Sequence, residues 1–305
     1  MAGNSAGPGR PLLLGFDLGG TKLALALART EGTIEATRSL PTLTEQGAES
    51  ALARALDAAH KFLAEQHARA CAVGVSTMGI THEDRVELAP NVPGWLDLRL
   101  PQRFRESFAP APVAVGNDVK AAALAELKWG ALRDVDSGIY VNLGTGVAAT
   151  LVIAGRIVEG AHGAAGEIGY WLRSRAPAAG AREGRAPLEE YIGGAGTTAR
   201  ARGEFGVVGG VADLVTRNDS AARAFLADLY DEIALHVTNL VIALDPQRVV
   251  LGGGYTRTPE QLFAAVRARL KRYVPYPPQV RLAHFRADAG IAGAIALAQQ
   301  ALVPR

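Results

Sequence analysis

The sequence predicts an α/β fold made of two similar domains. Strand-like and helix-like segments alternate along the whole chain. A strand–turn–strand–turn–strand plan occurs twice. Three glycine-rich turns, "DLGGTK", "NLGTGV" and "LGGGYT", each follow an apolar strand.

The elements follow in order. "LLLGFDLGG" is a buried-strand run ending in a glycine turn, and "TKLALALA" and "IEATRSL" continue it as an antiparallel meander. "AESALARALDAAHKFLAEQ" carries Leu52, Leu56 and Leu63 at helical spacing. "ACAVGVST" is another buried strand, which makes Cys71 a small core residue rather than a nucleophile. "APVAVGND" leads into the helix "VKAAALAELKWG", closed by Gly130.

"SGIYVNLGTGVAATLVIAGRIVEG" then repeats the opening plan. Asp17 answers Asn142 and Ile34 answers Ile157, at spacings of 17 and 15 residues. Next come a long helix, "RAFLADLYDEIALHVTNLVIAL", the strand "RVVLGGGYT" and the amphipathic helix "PEQLFAAVRARLKRYV". A small-residue helix, "AGIAGAIALAQQAL", closes the chain.

Composition narrows the function. Hydrophobic residues make up 49% of 305 and charged residues 20%, an ordinary globular balance. A net charge of +2 gives no electrostatic argument for nucleic acid or an anionic membrane. The single cysteine excludes an intrachain disulfide and a cysteine-rich zinc site. No apolar run approaches the ~18 residues of a membrane span. The N-terminus lacks the apolar core of a signal peptide, so a cytoplasmic location is expected. The six histidines show no metal-ligand spacing, and surface placement is expected for them.

Glycine turns let a backbone approach phosphate and aim several N–H groups inward. Repeating the turn suits two copies that grip one ligand from opposite sides. "GFDLGGTK" does not satisfy the Walker pattern. "GTGVAA" matches a relaxed dinucleotide fingerprint, but "VAATLVIAG" continues as a strand where that fingerprint needs a helix. Asn117 and Asp118 stand where a strand opens a helix, a place for an N-cap or for a general base. Asn91 in "APNVPGW" offers a donor and an acceptor to a hydroxyl-rich ligand; the same loop also reads as a turn with a packed Trp95. Glu167 in "GEIG" and Glu189 in "PLEEY" read as acceptors for such a ligand or as plain surface carboxylates.

"FDLGGTK", "PNVPGW", "NDVKAAALAE", "NLGTG", "GAAGEIG" and "LGGG" occur in the order found in ROK-family sugar kinases, which the chain resembles from about residue 12 onward. That family belongs to the superfamily of actin, the heat-shock ATPases and hexokinase. The resemblance implies two similar actin-like ATPase (ribonuclease H-like) domains with a cleft between them. Residues 12–118, with a C-terminal helix near 290–305, would form the smaller N-terminal domain. Residues 119–289 would form the larger one, and 1–11 a disordered lead-in.

By position, Asp17 resembles the residue that holds Mg²⁺ through water. Gly19, Gly20, Thr21 and Lys22 resemble the first phosphate loop, Thr145 and Gly146 the second, and Gly253 and Gly254 the adenosine-side loop. Asn91, Asn117, Asp118, Glu167 and Glu189 resemble the sugar-binding residues, with Asp118 the catalytic base. The implied reaction is ATP- and Mg²⁺-dependent phosphorylation of a hexose such as glucose at its 6-hydroxyl. Another hexose, an amino sugar, an N-acetylhexosamine, or a catalytically weak sugar sensor are the alternatives. A homodimer is implied by resemblance alone. The family's repressors carry an N-terminal helix-turn-helix, and the roughly dozen residues before the first strand are too few for one, so DNA binding is not expected.

The departures concern the sugar side. Where many members have "GEIGH", Tyr170 replaces the histidine and keeps only a hydroxyl to offer the sugar. The family's Cys-x-Cys-Gly-x-x-Gly-Cys segment is replaced by "RSRAPAAGAREGRAP", so no structural zinc is expected. "STMG" stands for an upstream "Ser-Pro-Gly", and Lys120 for a small or amide residue. Arg173, Arg175, Arg182 and Arg185 are expected in a solvated, mobile loop; a polyphosphate track is the sharper reading.

Overall fold

A computed structural model describes residues 9–87, 92–175, 179–217, 219–257 and 259–303. The chain divides into two compact units. One takes Met1–Lys128 and Asp288–Arg305, the other Trp129–Ala287.

In the first unit β1 (Arg10–Leu18), β2 (Lys22–Ala28) and β3 (Ile34–Pro41) form the expected antiparallel meander. The sequence predicts a lead-in over residues 1–11. Residues 1–8 lie outside the described residues, but Arg10 and Pro11 are already strand, paired with Ala68 and Arg69. Arg10 is fixed there by an ion pair to Glu35 at 2.6 Å. Next, α1 (Gly47–Glu65) buries Leu52, Ala55, Ala59 and Phe62 and leads to β4 (Ala68–Thr77), parallel to β1. Cys71 lies half-buried near the start of β4 rather than in the core. Burial pushes its thiol pKa up, against nucleophilic use.

A two-residue pair, β5 (Ile80–Thr81) and β6 (Val86–Glu87), precedes α2 (Leu100–Phe108). Phe104 of α2 meets Phe16 edge-to-face, with centroids 4.8 Å apart. Then β7 (Val113–Asn117) pairs parallel to β4 and passes directly into α3 (Asp118–Trp129). The sheet order is β3-β2-β1-β4-β7.

The second unit repeats the plan. β8 (Gly138–Leu143), β9 (Val147–Ile153) and β10 (Arg156–Ile157) form a second meander. After it come α4 (Glu189–Ile192), α5 (Gly194–Phe205), α6 (Val211–Arg217) and α7 (Ser220–Leu244). The carboxylate of Asp219 caps α7 by accepting from Ala222 N at 2.8 Å. Phe225, Leu229, Ile233, Val237 and Val241 carry the buried stripe of that helix. Finally β11 (Arg248–Gly252), α8 (Pro259–Tyr273) and β12 (Gln279–Leu282) add two parallel strands beside β8. The order β10-β9-β8-β11-β12 matches the first sheet position for position, the structural form of the duplication.

The chain then returns to the first unit as α9 (Ala289–Ala301). Its approach is as close as two backbones allow. A Cβ on Gly74 would overlap the Ala294 carbonyl, and one on Gly293 would lie 2.5 Å from the Ala121 carbonyl carbon. This packing holds α3 in the first unit, so the boundary falls at Lys128 and not at residue 118 as read from the sequence. Lys128 Nζ donates to Gln299 Oε1 of α9 at 2.8 Å.

Candidate active site

In the first unit the β1–β2 turn is tight. Gly19 N–H donates to Lys22 O at 3.1 Å. Thr42, fully buried, holds the turn from outside: its hydroxyl donates to Gly19 O at 2.7 Å and its N–H to Thr21 O at 3.0 Å. Among the described residues, the N–H groups of Gly20 and Thr21 have no backbone acceptor, which suits them to an anion. The Thr21 and Lys22 side chains are exposed beside them.

Asp17, one residue before the end of β1, pairs in register with Ser76 of β4. Burial pushes its carboxyl pKa above the ordinary value, and the facing Ser76 hydroxyl and Lys22 ammonium offset part of that rise. Ser76 Oγ is fully buried and does not close a hydrogen bond of good geometry. A carboxylate facing an orphaned hydroxyl is a hard-oxygen set that fits a hydrated Mg²⁺. Gly290, in the first turn of α9, presses on this carboxylate; a Cβ there would overlap Asp17 Oδ2.

The β7–α3 junction divides labour between two adjacent residues. Asn117 is the cap: its Oδ1 accepts from Val119 N at 3.0 Å and Lys120 N at 3.1 Å, and its Nδ2 donates to Gly79 O at 2.9 Å. One amide hydrogen remains for a ligand. Asp118 stands in the first helical turn, half-buried, and its Oδ1 accepts from Val119 N at 2.9 Å. The two side chains share the Val119 amide, and the Lys120 amide goes to Asn117, which makes Asn117 the cap. Lys120, two residues on, is buried. Asn91 lies outside the described residues; Trp95 of the same motif is core, its Nε1 donating to Thr77 Oγ1 at 3.1 Å.

In the second unit, the β8–β9 turn is held from α4 and α5. Gly194 N donates to Gly144 O at 2.8 Å and Ala195 N to Thr145 O at 3.3 Å. Val147 N donates to Glu189 Oε2 at 2.8 Å. Gly146 makes room for that carboxylate, since a Cβ would lie 2.6 Å from Oε2. The N–H groups of Thr145 and Gly146 have no backbone acceptor among the described residues. Gly253, at φ +84°, packs against the Leu143 backbone, so the third glycine turn adjoins the second. Thr256 Oγ1 donates to Gly253 O at 2.7 Å, and Gly254 opens a short 3-10 turn.

Glu167, Tyr170 and Glu189 converge. Burial raises the Tyr170 phenol pKa first, and the nearby carboxylates of Glu167 and Glu189 raise it further. Gly166, at φ +89°, is pressed against the Ala149 carbonyl, where no side chain fits. That contact delivers Glu167 to the edge of β9. Glu189 keeps Oε1 without a partner among the described residues.

The four arginines of the segment are exposed, as the sequence predicts, but two of them are paired. Arg173 pairs with Glu232 at 2.7 Å and Arg185 with Glu190 at 2.5 Å. Two of its four cations are thus already neutralised, which weakens a polyphosphate track. Nor is every histidine on the surface: His236 is half-buried against Trp171, with ring centroids 5.6 Å apart. Residues 173–187 supply no thiolate or imidazole and do not fit a zinc site. Among the described residues no cluster of three or more His, Cys, Asp or Glu could hold a metal ion.

The sequence profile of the ROK family matches residues 13–301. The chain belongs to the ROK family. Among ROK relatives, the glucokinase of Halalkalibacterium halodurans is 28% identical over 92% of each chain. The N-acetylmannosamine kinase of Escherichia fergusonii is 32% identical, over 94% of this chain and 98% of that one. The crystal structure of a ROK hexokinase from Thermus thermophilus superposes with a TM-score of 0.82 at 29% identity, covering 95% of this chain and 99% of that one. The α/β architecture with two like sheets is therefore that of the actin-like ROK kinases. No helix among the described residues is long and apolar enough to cross a membrane.

Proposed function

We propose that this ROK protein is an ATP- and Mg²⁺-dependent sugar kinase that phosphorylates a hydroxyl of a hexose or amino hexose, with the 6-hydroxyl of a glucose-like sugar as the specific acceptor. The observation that carries the reading is the division at the β7–α3 junction. Asn117 takes the Lys120 amide and shares that of Val119 with Asp118, so Asp118 stands in the first helical turn beside the cap. A carboxylate so placed accepts the hydroxyl proton as the sugar oxygen attacks the γ-phosphorus and ADP departs.

The backbone N–H groups of Gly20, Thr21, Thr145 and Gly146 serve the phosphates, and Gly253 and Gly254 the adenosine side. Asp17, with Ser76, would hold the water shell of Mg²⁺, which when bound neutralises phosphate charge. Asn91, Asn117, Glu167, Tyr170 and Glu189 serve the sugar hydroxyls.

The identities to relatives favour a second reading for the sugar. The N-acetylmannosamine kinase is 32% identical and the glucokinase 28%, so an N-acetylhexosamine is the alternative acceptor. A coupled ADP-release assay over glucose, mannose, their amino sugars and their N-acetyl derivatives decides between them. ADP release that no sugar stimulates would sink the kinase reading.

A further inference from the structure

We propose that a double guanidinium stack on Tyr191, made by Arg173 and Arg200, is a positioning device that sets Glu189 against the second phosphate loop. The functional meaning of this device rests on the sugar-kinase reading; its mechanics do not.

The need for it starts with α4. A helix of 4 residues cannot support itself, because the first turn costs more order than its bonds return. Its place must be imposed by side chains. Leu188 and Ile192 are buried in the core and fix its floor. Tyr191 fixes its outer side. The Arg173 guanidinium carbon lies 3.3 Å from the Tyr191 ring centroid and that of Arg200 lies 3.9 Å from it. Two guanidinium groups this close to one centroid fit only on opposite faces of the ring.

The partners tie the ring to α7 and to α5. The Tyr191 hydroxyl donates to Asp228 Oδ2 of α7 at 2.7 Å. Arg173 Nε donates to Glu232 Oε1, one turn further along α7, at 2.7 Å. Arg200, on α5, donates from Nη2 to Tyr191 O at 3.2 Å and also lies over the Phe225 ring at 4.7 Å. The charges balance locally, with two cations on the ring and two carboxylates on one face of α7.

What the clamp controls is two residues away. Glu189 heads the same helix, and its carboxylate is the external partner of Val147 N in the phosphate turn. Release of the Tyr191 ring frees α4, and Glu189 then loses its hold on the loop. The proposed sugar carboxylate and the proposed phosphate loop are thereby set by one aromatic ring. Arg173 and Arg200 are positioning residues that act through Tyr191.

Hydrogen exchange of the ligand-free full chain, read on peptides covering 143–147, tests this. Tyr191→Leu removes the stack and Arg173→Gln removes its closer half. They are expected to speed exchange at Val147 roughly three- to thirtyfold, the range one cation–π contact is worth. Exchange in β8 up to Asn142 and in β11 should not change. Tyr191→Phe keeps the stack, loses only the Asp228 bond, and should stay near wild type. The same two stack-breaking variants should raise KM for sugar and for ATP together, with Tyr191→Phe close to wild type. Unchanged exchange at 143–147 overturns the proposal, and so does an equal rise throughout the second unit. If the wild-type chain phosphorylates no sugar, the function reading fails while the exchange result still judges the clamp.

Discussion

Glu189 Oε2 accepts the Val147 N–H at 2.8 Å, so a carboxylate from α4 closes a turn that belongs to the β8–β9 hairpin. Removing it leaves a part-buried donor unpaired, at a cost of about 1–3 kcal/mol. Glu189→Ala should therefore lower Tm and raise KM for ATP as well as for sugar. Glu189→Gln keeps an acceptor and should recover most of the Tm but not the sugar KM. Thermal melts and initial rates on both variants check this.

Asp118→Asn keeps the shape of the α3 start and removes the proton acceptor. The expected result is a fall in kcat of about 10²–10⁴-fold with little change in sugar binding. Turnover at the wild-type rate would show that another group takes the proton.

Asp17 carries a charge in a site that resists it. Burial raises its folded pKa above the unfolded value, so the folded state holds its proton to higher pH. The stability this group contributes is present at low pH and is lost as pH rises from the unfolded value, near 3.8, through the raised folded one. At neutral pH Asp17→Asn should therefore raise Tm while abolishing Mg²⁺-dependent turnover. Mg²⁺ should raise the Tm of the wild type and leave that of the variant unchanged. Gly290→Ala should reproduce the catalytic loss by pushing the carboxylate aside, although alanine is the better helix former by about 1 kcal/mol.

His236 predicts a pH response in the second unit. Burial holds its folded pKa below the ordinary 6.5; Glu232 opposes that shift, and Arg173 and Arg269 add to it. A base depressed on folding gives stability that is present above the unfolded pKa and is lost as pH falls through and below 6.5. The melting temperature should drop on mild acidification, and His236→Gln should flatten that drop relative to the wild type. Equal slopes for the two proteins would remove His236 as the cause.

The residues most legible in the sequence were those whose chemistry is local. The two meanders, the three glycine turns and the helices α1, α7 and α8 announce themselves by period and punctuation. Asn117 and Asp118 were visible as a pair, but only the bonds to Val119 and Lys120 show which one caps. β12 is not legible, because "QVRL" is four residues with two polar side chains, too short for a period. α5 is hidden because Gly194, Gly196 and Gly203 oppose helix formation, and it forms under tertiary packing. The partners of Arg173 lie on α4 and α7, far along the chain, so its composition-poor loop gave no sign of them. Thr42 and Gly290 act on the β1–β2 turn and on Asp17 from outside any motif, and no spacing rule points to them.

The return of α9 to the first unit orders events during synthesis. The second unit is one unbroken stretch, Trp129–Ala287, and can complete its core as soon as it leaves the ribosome. The first unit begins earlier and finishes later, because β4 and α3 wait for Gly293 and Ala294. Until then, the face of its sheet that α9 covers stays open. A chain truncated before residue 289 should leave that sheet face exposed although it carries the whole second unit.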